Sequence, residues 1–219
     1  MESFLVCQDD ASLWKTTKPE TRDMYNSSRQ CRFNLHSAYK NWVHEILNGV
    51  WDKKLWNGFQ VAFMFNHISG SFERKCKKME DEIDRVYRTL VPHVERFPSS
   101  PAGSKRLPIF IAFPDFPRQK LKSVDRLDVT INDGLHFHGI MLVNIESRLK
   151  VRLDMHIKEH YQRYVRPGDT LKRIHIQPID DPTANRATGY ALKSLEWRIP
   201  DTDRIFIRPK ALSELPVKD

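Results

Sequence analysis

Residues 135–143 read Leu-His-Phe-His-Gly-Ile-Met-Leu-Val, an apolar run interrupted only by two histidines and a glycine. A run this short and this apolar is too greasy for a surface helix. It fits a strand in the interior of a sheet. In a strand, residues i and i+2 point to the same face. His136 and His138 therefore project side by side from an otherwise hydrophobic strand, an arrangement that can chelate one metal ion. If they do so, the chain should also supply a third ligand, a nucleophile and a means of holding substrate.

The rest of the chain sets bounds on that idea. Its 219 residues suit one domain with an appended arm, and 40% hydrophobic content supports a core. The net charge of +8 favours polyanionic partners such as nucleic acid or an acidic membrane surface. Cys7, Cys31 and Cys76 are scattered and odd in number, with neither a disulfide framework nor CxxC spacing. That pattern points to a reducing, intracellular, cytoplasmic setting. The first ten residues lack the basic and apolar regions of a signal peptide. No apolar run approaches the roughly 20 residues of a membrane span, so no membrane association is expected.

Periodicity and punctuation divide the chain into an N-terminal arm and helix (1–58), a main domain (59–207) and a polar C-terminal tail (208–219). Residues 1–34 are weakly patterned, and 35–56 have helical spacing. Strands are expected at 59–65, 107–113, 126–131, 135–143, 171–179 and 204–207, with Pro114 and Pro117 ending the second. Charged amphipathic helices are expected at 71–96 and 148–165, and another at 181–197, with Pro182 in its first turn. Along the first, Glu73–Lys77, Asp81–Arg85 and Asp84–Arg88 are favourable i,i+4 pairs. Tyr161 and Tyr164 both fall on the apolar side of the second. The core order is read as β-α-β-β-α-β, with an extra helix at each end and two strands beyond those four. It implies an α+β, ferredoxin-like antiparallel sheet with helices on one face and the other face free for a site.

The turn at Asn132-Asp133-Gly134 bears on the third ligand. A three-residue loop with left-handed glycine pairs Ile131 with Leu135 and sets Asp128 opposite His138. A two-residue turn shifts the register and moves Asp128 to the other face, leaving Asp125 as the fallback. Two imidazoles and a carboxylate suit a divalent ion with open positions. Further along, Tyr190 and Lys193 are i,i+3 neighbours on a helix, with Arg186 and Trp197 on the same stripe. A phenol beside an ammonium can act as a nucleophile when a base, metal or cation favours the phenolate. His156, His160 and His175 are spare ligand candidates, each more readily read as structural.

These residues carry a resemblance. His136-Phe137-His138 looks like the histidine–hydrophobic–histidine motif of the HUH endonucleases. Tyr190-Ala191-Leu192-Lys193 looks like the Tyr-x-x-Lys motif of the Rep-type initiators of rolling-circle replication. Residues 63–69, Phe-Met-Phe-Asn-His-Ile-Ser, loosely match the first-strand motif of that family, and Asp128 its acidic ligand. The resemblance spans roughly residues 59–197. It implies a metal-dependent endonuclease and ligase that nicks single-stranded or hairpin DNA at an origin through a 5′-phosphotyrosine intermediate. Mg²⁺ or Mn²⁺ would be held by His136, His138 and Asp128, with Tyr190 as nucleophile and Lys193 beside it. Arg118, Lys120, Lys122, Arg173, Arg186 and Trp197 would contact DNA. No Gly-x-x-x-x-Gly-Lys-Ser/Thr motif occurs, so a replicative role would require a separate helicase.

Other readings predict other features. HUH transposases usually carry glutamine four residues after the tyrosine, where this chain has Ser194, and the three-histidine cluster of relaxases is not evident. A non-catalytic nucleic-acid-binding module would be indifferent to loss of the Tyr190 hydroxyl. A cupin-like oxygenase would need an all-β barrel.

Overall fold

The computed structural model describes residue 41, residues 54–115, 131–179 and 205–209. The arm, the helices expected at 35–56 and 181–197 and most of the strand expected at 126–131 lie outside these residues.

The described strands are β1 (Trp56–Phe65), β2 (Ile109–Asp115), β3 (His136–Asn144), β4 (Leu171–Pro178) and β5 (Phe206–Arg208). They form one sheet in the order β4-β1-β3-β2-β5, and each neighbouring pair is antiparallel. The histidine strand β3 is thus central, as its apolar sequence predicts: seven of its nine residues are buried. The fold is α+β, with four helices among the described residues: α1 (Phe72–Val94), α2 (Pro101–Ser104), α3 (Leu153–Glu159) and α4 (Tyr161–Tyr164).

Alternation along the strands builds the main core. Phe59, Val61, Phe63 and Phe65 of β1 join Phe137, Met141 and Val143 of β3 and Phe110 and Ala112 of β2. Onto this face packs α1 through Cys76, Met79, Ile83, Val86, Leu90 and Val94, an i, i+3, i+4, i+7 stripe. The α1 helix begins where Ser71 accepts a hydrogen bond from the Arg74 N–H at 3.4 Å. Of the expected surface pairs, Asp84–Arg88 forms at 2.9 Å. Lys77 pairs with Asp81, and Arg85 pairs with Glu82. Asp84 also receives Arg208 at 2.6 Å, tying β5 to the helix.

Three differences from the sequence expectation have physical causes. First, β2 runs on through Pro114 to Asp115. Among the described residues β5 pairs with β2 only as far as Ala112, and a strand position without a ladder partner on one side tolerates a residue without an N–H. Second, the 148–165 segment is two short helices that meet at His160, whose φ of −111° and ψ of 26° interrupt the α geometry. As a result Tyr164 is fully buried and Tyr161 is 37% exposed, so only one of the two tyrosines packs in the core. Third, the far face of the sheet is only half open. Ile109, Ile111, Phe113, Ile140 and Leu142 are buried there, whereas Arg173, His175 and Gln177 of β4 are exposed.

Gly139 shows how tightly the histidine strand is seated. A Cβ at this position would lie 2.5 Å from the Ile111 carbonyl oxygen and 2.8 Å from both the Ala112 Cβ and Phe110 Cε2. Gly139→Ala is therefore expected to destabilise the protein by about 1–3 kcal/mol through overpacking, measured as a lowered denaturant midpoint with an unchanged slope.

Candidate metal centre

β3 pairs with β2 so that Asp115 lies opposite His136 and Phe113 opposite His138. Directly paired residues in an antiparallel sheet share a face, so Asp115, His136 and His138 all project from the side away from α1. Their ligand atoms lie within 4.8 Å of one another. The carboxylate Oδ2 is 3.8 Å from His136 Nε2 and 3.9 Å from His138 Nε2. Direct hydrogen bonds need about 2.7–3.2 Å, so these three groups converge without closing on one another. An ion with bonds of about 2.0–2.2 Å fits between them with small side-chain rotations. Among the described residues, this is the one group of three or more His, Cys, Asp or Glu side chains with that convergence.

Each histidine is prepared to act as a ligand. His136 Nδ1–H donates to the Gly134 carbonyl at 2.8 Å. A carbonyl can only accept, so in the neutral ring the Nε2 lone pair is left facing Asp115. This is the arrangement in which a second hydrogen bond fixes the tautomer and aim of a metal-binding imidazole. His138 is pushed down to about 3, first by burial and then by the positive potential of His136 and His175. It therefore remains neutral near pH 7, in the form that coordinates metals. His136 is itself buried, while Asp115 keeps 24% of its side chain exposed.

The turn that leads into β3 aims His136. Asn132, Asp133 and Gly134 all have left-handed φ values of 56°, 57° and 79°. Asparagine and aspartate tolerate this region better than most residues, and here the turn is also fastened from outside. Buried Asn132 accepts from the Ile68 N–H at 2.7 Å and donates to the Asn66 carbonyl at 2.9 Å. Asp133 pairs with Lys75 of α1 at 2.7 Å. The Gly134 carbonyl that orients His136 is consequently tied to the β1–α1 connection.

Asp128 lies outside the described residues, and the register proposed for it is not the one β3 uses. The positions opposite His138 belong to Ala62 and Phe113. The carboxylate beside the histidines comes instead from Asp115, which the sequence reading missed by ending the strand at Pro114. Its signal was a carboxylate two residues beyond Phe113, on the same strand face. Of the remaining candidates, Tyr190, Lys193, Arg118, Lys120, Lys122, Arg186 and Trp197 lie outside the described residues. Arg173 is on β4, exposed, and shares the face of the histidines through the pairings Met64–Arg173 and Ala62–His175.

The spare histidines divide. His175 faces the metal-binding group across Ala62. His156 and His160 gather with His93 at the end of α1, with ring centroids 4.7–6.0 Å apart. His156 Nε2 is 2.9 Å from the Tyr164 hydroxyl. Burial, His93, His160 and Arg163 together push His156 down to about 4. The setting is basic and built into the packing, which accords with a structural role.

Compared with known proteins, the chain matches no family model, no curated protein and no solved structure. No helix among the described residues is long and apolar enough to cross a membrane.

Because Asn132 aims His136 without belonging to the ligand group, Asn132→Ala is expected to weaken Mn²⁺ binding by about 10- to 100-fold. Asp115→Ala should weaken it further. Isothermal titration with circular dichroism of each variant separates these effects from unfolding.

Proposed function

We propose that the protein is a metal-dependent nickase of single-stranded DNA, of the HUH type that initiates rolling-circle replication. The observation that carries this reading is the convergence of Asp115 with His136-x-His138 on one face of the sheet. A His-hydrophobic-His strand facing a carboxylate on its antiparallel neighbour is the ligand pattern that the resemblance implies, with Asp115 in the acidic role. The strand order also supports it. β4-β1-β3-β2, antiparallel at each step with α1 between β1 and β2, is the arrangement expected of a ferredoxin-like split βαβ unit.

A divalent ion such as Mg²⁺ or Mn²⁺, held by Asp115, His136 and His138, would polarise a phosphate oxygen and stabilise its developing charge. The remaining work falls to the chain. His136 presents Nε2 because its Nδ1–H is fixed by Gly134, and neutral His138 offers a nitrogen ligand without first losing a proton. Tyr190 attacks phosphorus through its phenolate oxygen, the P–O3′ bond breaks, and the 3′-oxygen leaves to become a hydroxyl. Lys193, three residues on in the sequence, favours the phenolate. Because the phosphotyrosine preserves a phosphoester, a 3′-hydroxyl can reverse the step and rejoin the ends. Arg118, Lys120, Lys122, Arg173 and Arg186 draw in the DNA backbone, and Trp197 offers a stacking surface. In replication the unwinding would fall to a separate helicase.

The same two-histidine, one-carboxylate set also serves ferrous oxygenases. The α+β sheet and the charge of +8 favour phosphate chemistry over that reading.

The test incubates the protein with labelled single-stranded and hairpin DNA and Mn²⁺. The expected result is a covalent protein–DNA adduct that is lost in Tyr190→Phe and falls to background in His136→Ala, in Asp115→Ala and on chelation. Cleavage that persists unchanged in Tyr190→Phe would remove the phosphotyrosine step. Absence of cleavage on any substrate, with metal bound, would remove the nickase reading.

A further inference from the structure

Three imidazoles meet where the end of α1 reaches the break between α3 and α4. His93 lies in the last turn of α1. His156 sits in α3, and His160 is the residue at which α3 gives way to α4. The ring centroids are 4.9 Å apart for His93 and His156, 4.7 Å for His156 and His160, and 6.0 Å for His93 and His160. The last pair is stacked, with planes 17° apart. The His160 N–H still bonds the His156 carbonyl at 3.0 Å, so these two rings stand one helical turn apart on one face.

The stack belongs to the joint that holds α3 and α4 on α1. His156 is buried, and its Nε2 is 2.9 Å from the hydroxyl of fully buried Tyr164. The Tyr164 carbonyl accepts from Arg85 of α1 at 2.8 Å. The Arg148 N–H bonds the Val94 carbonyl at 2.9 Å, and its guanidinium bonds the Pro92 carbonyl at 3.3 Å. Past α4 the chain enters β4, where Asn66 bonds the Asp169 and Thr170 carbonyls. The joint thus links α1 to the strand that flanks β1.

The charges that act on the stack are cationic. Burial, and then His93, His160 and Arg163, push His156 down to about 4. Burial, and then Arg163, His160 and Arg148, hold His93 below its ordinary value. Carboxylates at the joint's borders have partners of their own. Glu82 and Asp169 pair with Arg85 at 2.9 and 3.5 Å, and Asp154 pairs with Arg152 at 2.7 Å. Lys158 and Glu159 are exposed on α3. A protonated His156 donates from both nitrogens, and the Tyr164 oxygen can accept, so that hydrogen bond survives. What goes unmet is the charge, buried beside other cations.

We propose that the stack of His93, His156 and His160 is an acid-sensitive joint: neutral rings close α3 and α4 against α1, and proton uptake releases them locally. The joint requires neither the metal centre nor Tyr190. Opening returns His156 to water, where an imidazole titrates near its ordinary value of about 6.5. The open form therefore binds more protons below that pH. The closed form is fully favoured above about 6.5 and loses ground as pH falls. The loss is complete near 4, where the closed form takes up the proton as well.

Native-state hydrogen exchange on the full chain reads this opening directly, after correction for intrinsic rates. The informative amides are those of His156, His160, Arg163 and Val165, which bond the carbonyls of Arg152, His156, His160 and Tyr161. Their opening should rise about 10- to 30-fold between about pH 7.5 and about pH 5, well beyond any rise in β1 and β3. His156→Gln, which keeps a hydrogen-bonding group for Tyr164, should remove most of that rise. His93→Gln should reduce it and raise the pH at which His156 takes up its proton, followed by the His156 Cε1–H resonance. If His156→Gln does not fold, His93→Gln decides alone. Opening that is equal at the two pH values, a rise shared equally by β1 and β3, or a rise undiminished in His93→Gln would overturn the joint.

Discussion

The pairing of β3 with β2 sets almost everything at the site. Because Asp115 lies opposite His136, a carboxylate and two imidazoles share one face without any loop having to close over them. A slip of one residue along β2 would turn Asp115 toward the α1 side and bring Pro114 to the metal face. The main core prevents that slip. Phe110 and Ala112 of β2 and Phe137 and Met141 of β3 are buried against α1, so the hydrophobic alternation that holds the sheet on its helix also aligns the polar group behind it.

That arrangement comes at a cost in solvation. His136 is buried and His138 nearly so, and burial dominates the forces that keep His138 neutral. Buried polar groups persist when their partners are fixed. Here the fixing comes from a left-handed turn whose conformation is imposed by Asn132 and Lys75, residues that do not reach the metal position themselves. Local strain in the turn is over-determined by contacts to the β1–α1 connection, a pattern found where a functional group must be held in one orientation.

Much of this was legible in the sequence, for identifiable reasons. The histidine strand stood out because its apolar run has no helical alternative of adequate length, and α1 because its stripe repeats over five turns. β4 was readable from the alternation of Arg173, His175 and Gln177 against Ile174 and Ile176. The third ligand was not. Register is a long-range property: β2 and β3 are separated by 20 residues, and nothing local in Phe113-Pro114-Asp115 announces that it lies beside His136. Proline was read as a stop, whereas at a strand edge it is a tolerated residue. The left-handed glycine of the 132–134 turn was anticipated. The two left-handed residues before it, and their fastening to Ile68 and Asn66, depend on tertiary contacts that spacing does not encode.

The central claim is that Asp115, His136 and His138 bind one divalent ion together. Its most direct test is anomalous diffraction at the manganese edge from crystals grown with Mn²⁺. The account predicts one strong peak about 2.0–2.3 Å from Asp115 Oδ2, His136 Nε2 and His138 Nε2. A fully occupied peak elsewhere, or none at these three atoms in crystals saturated with the metal, would contradict it.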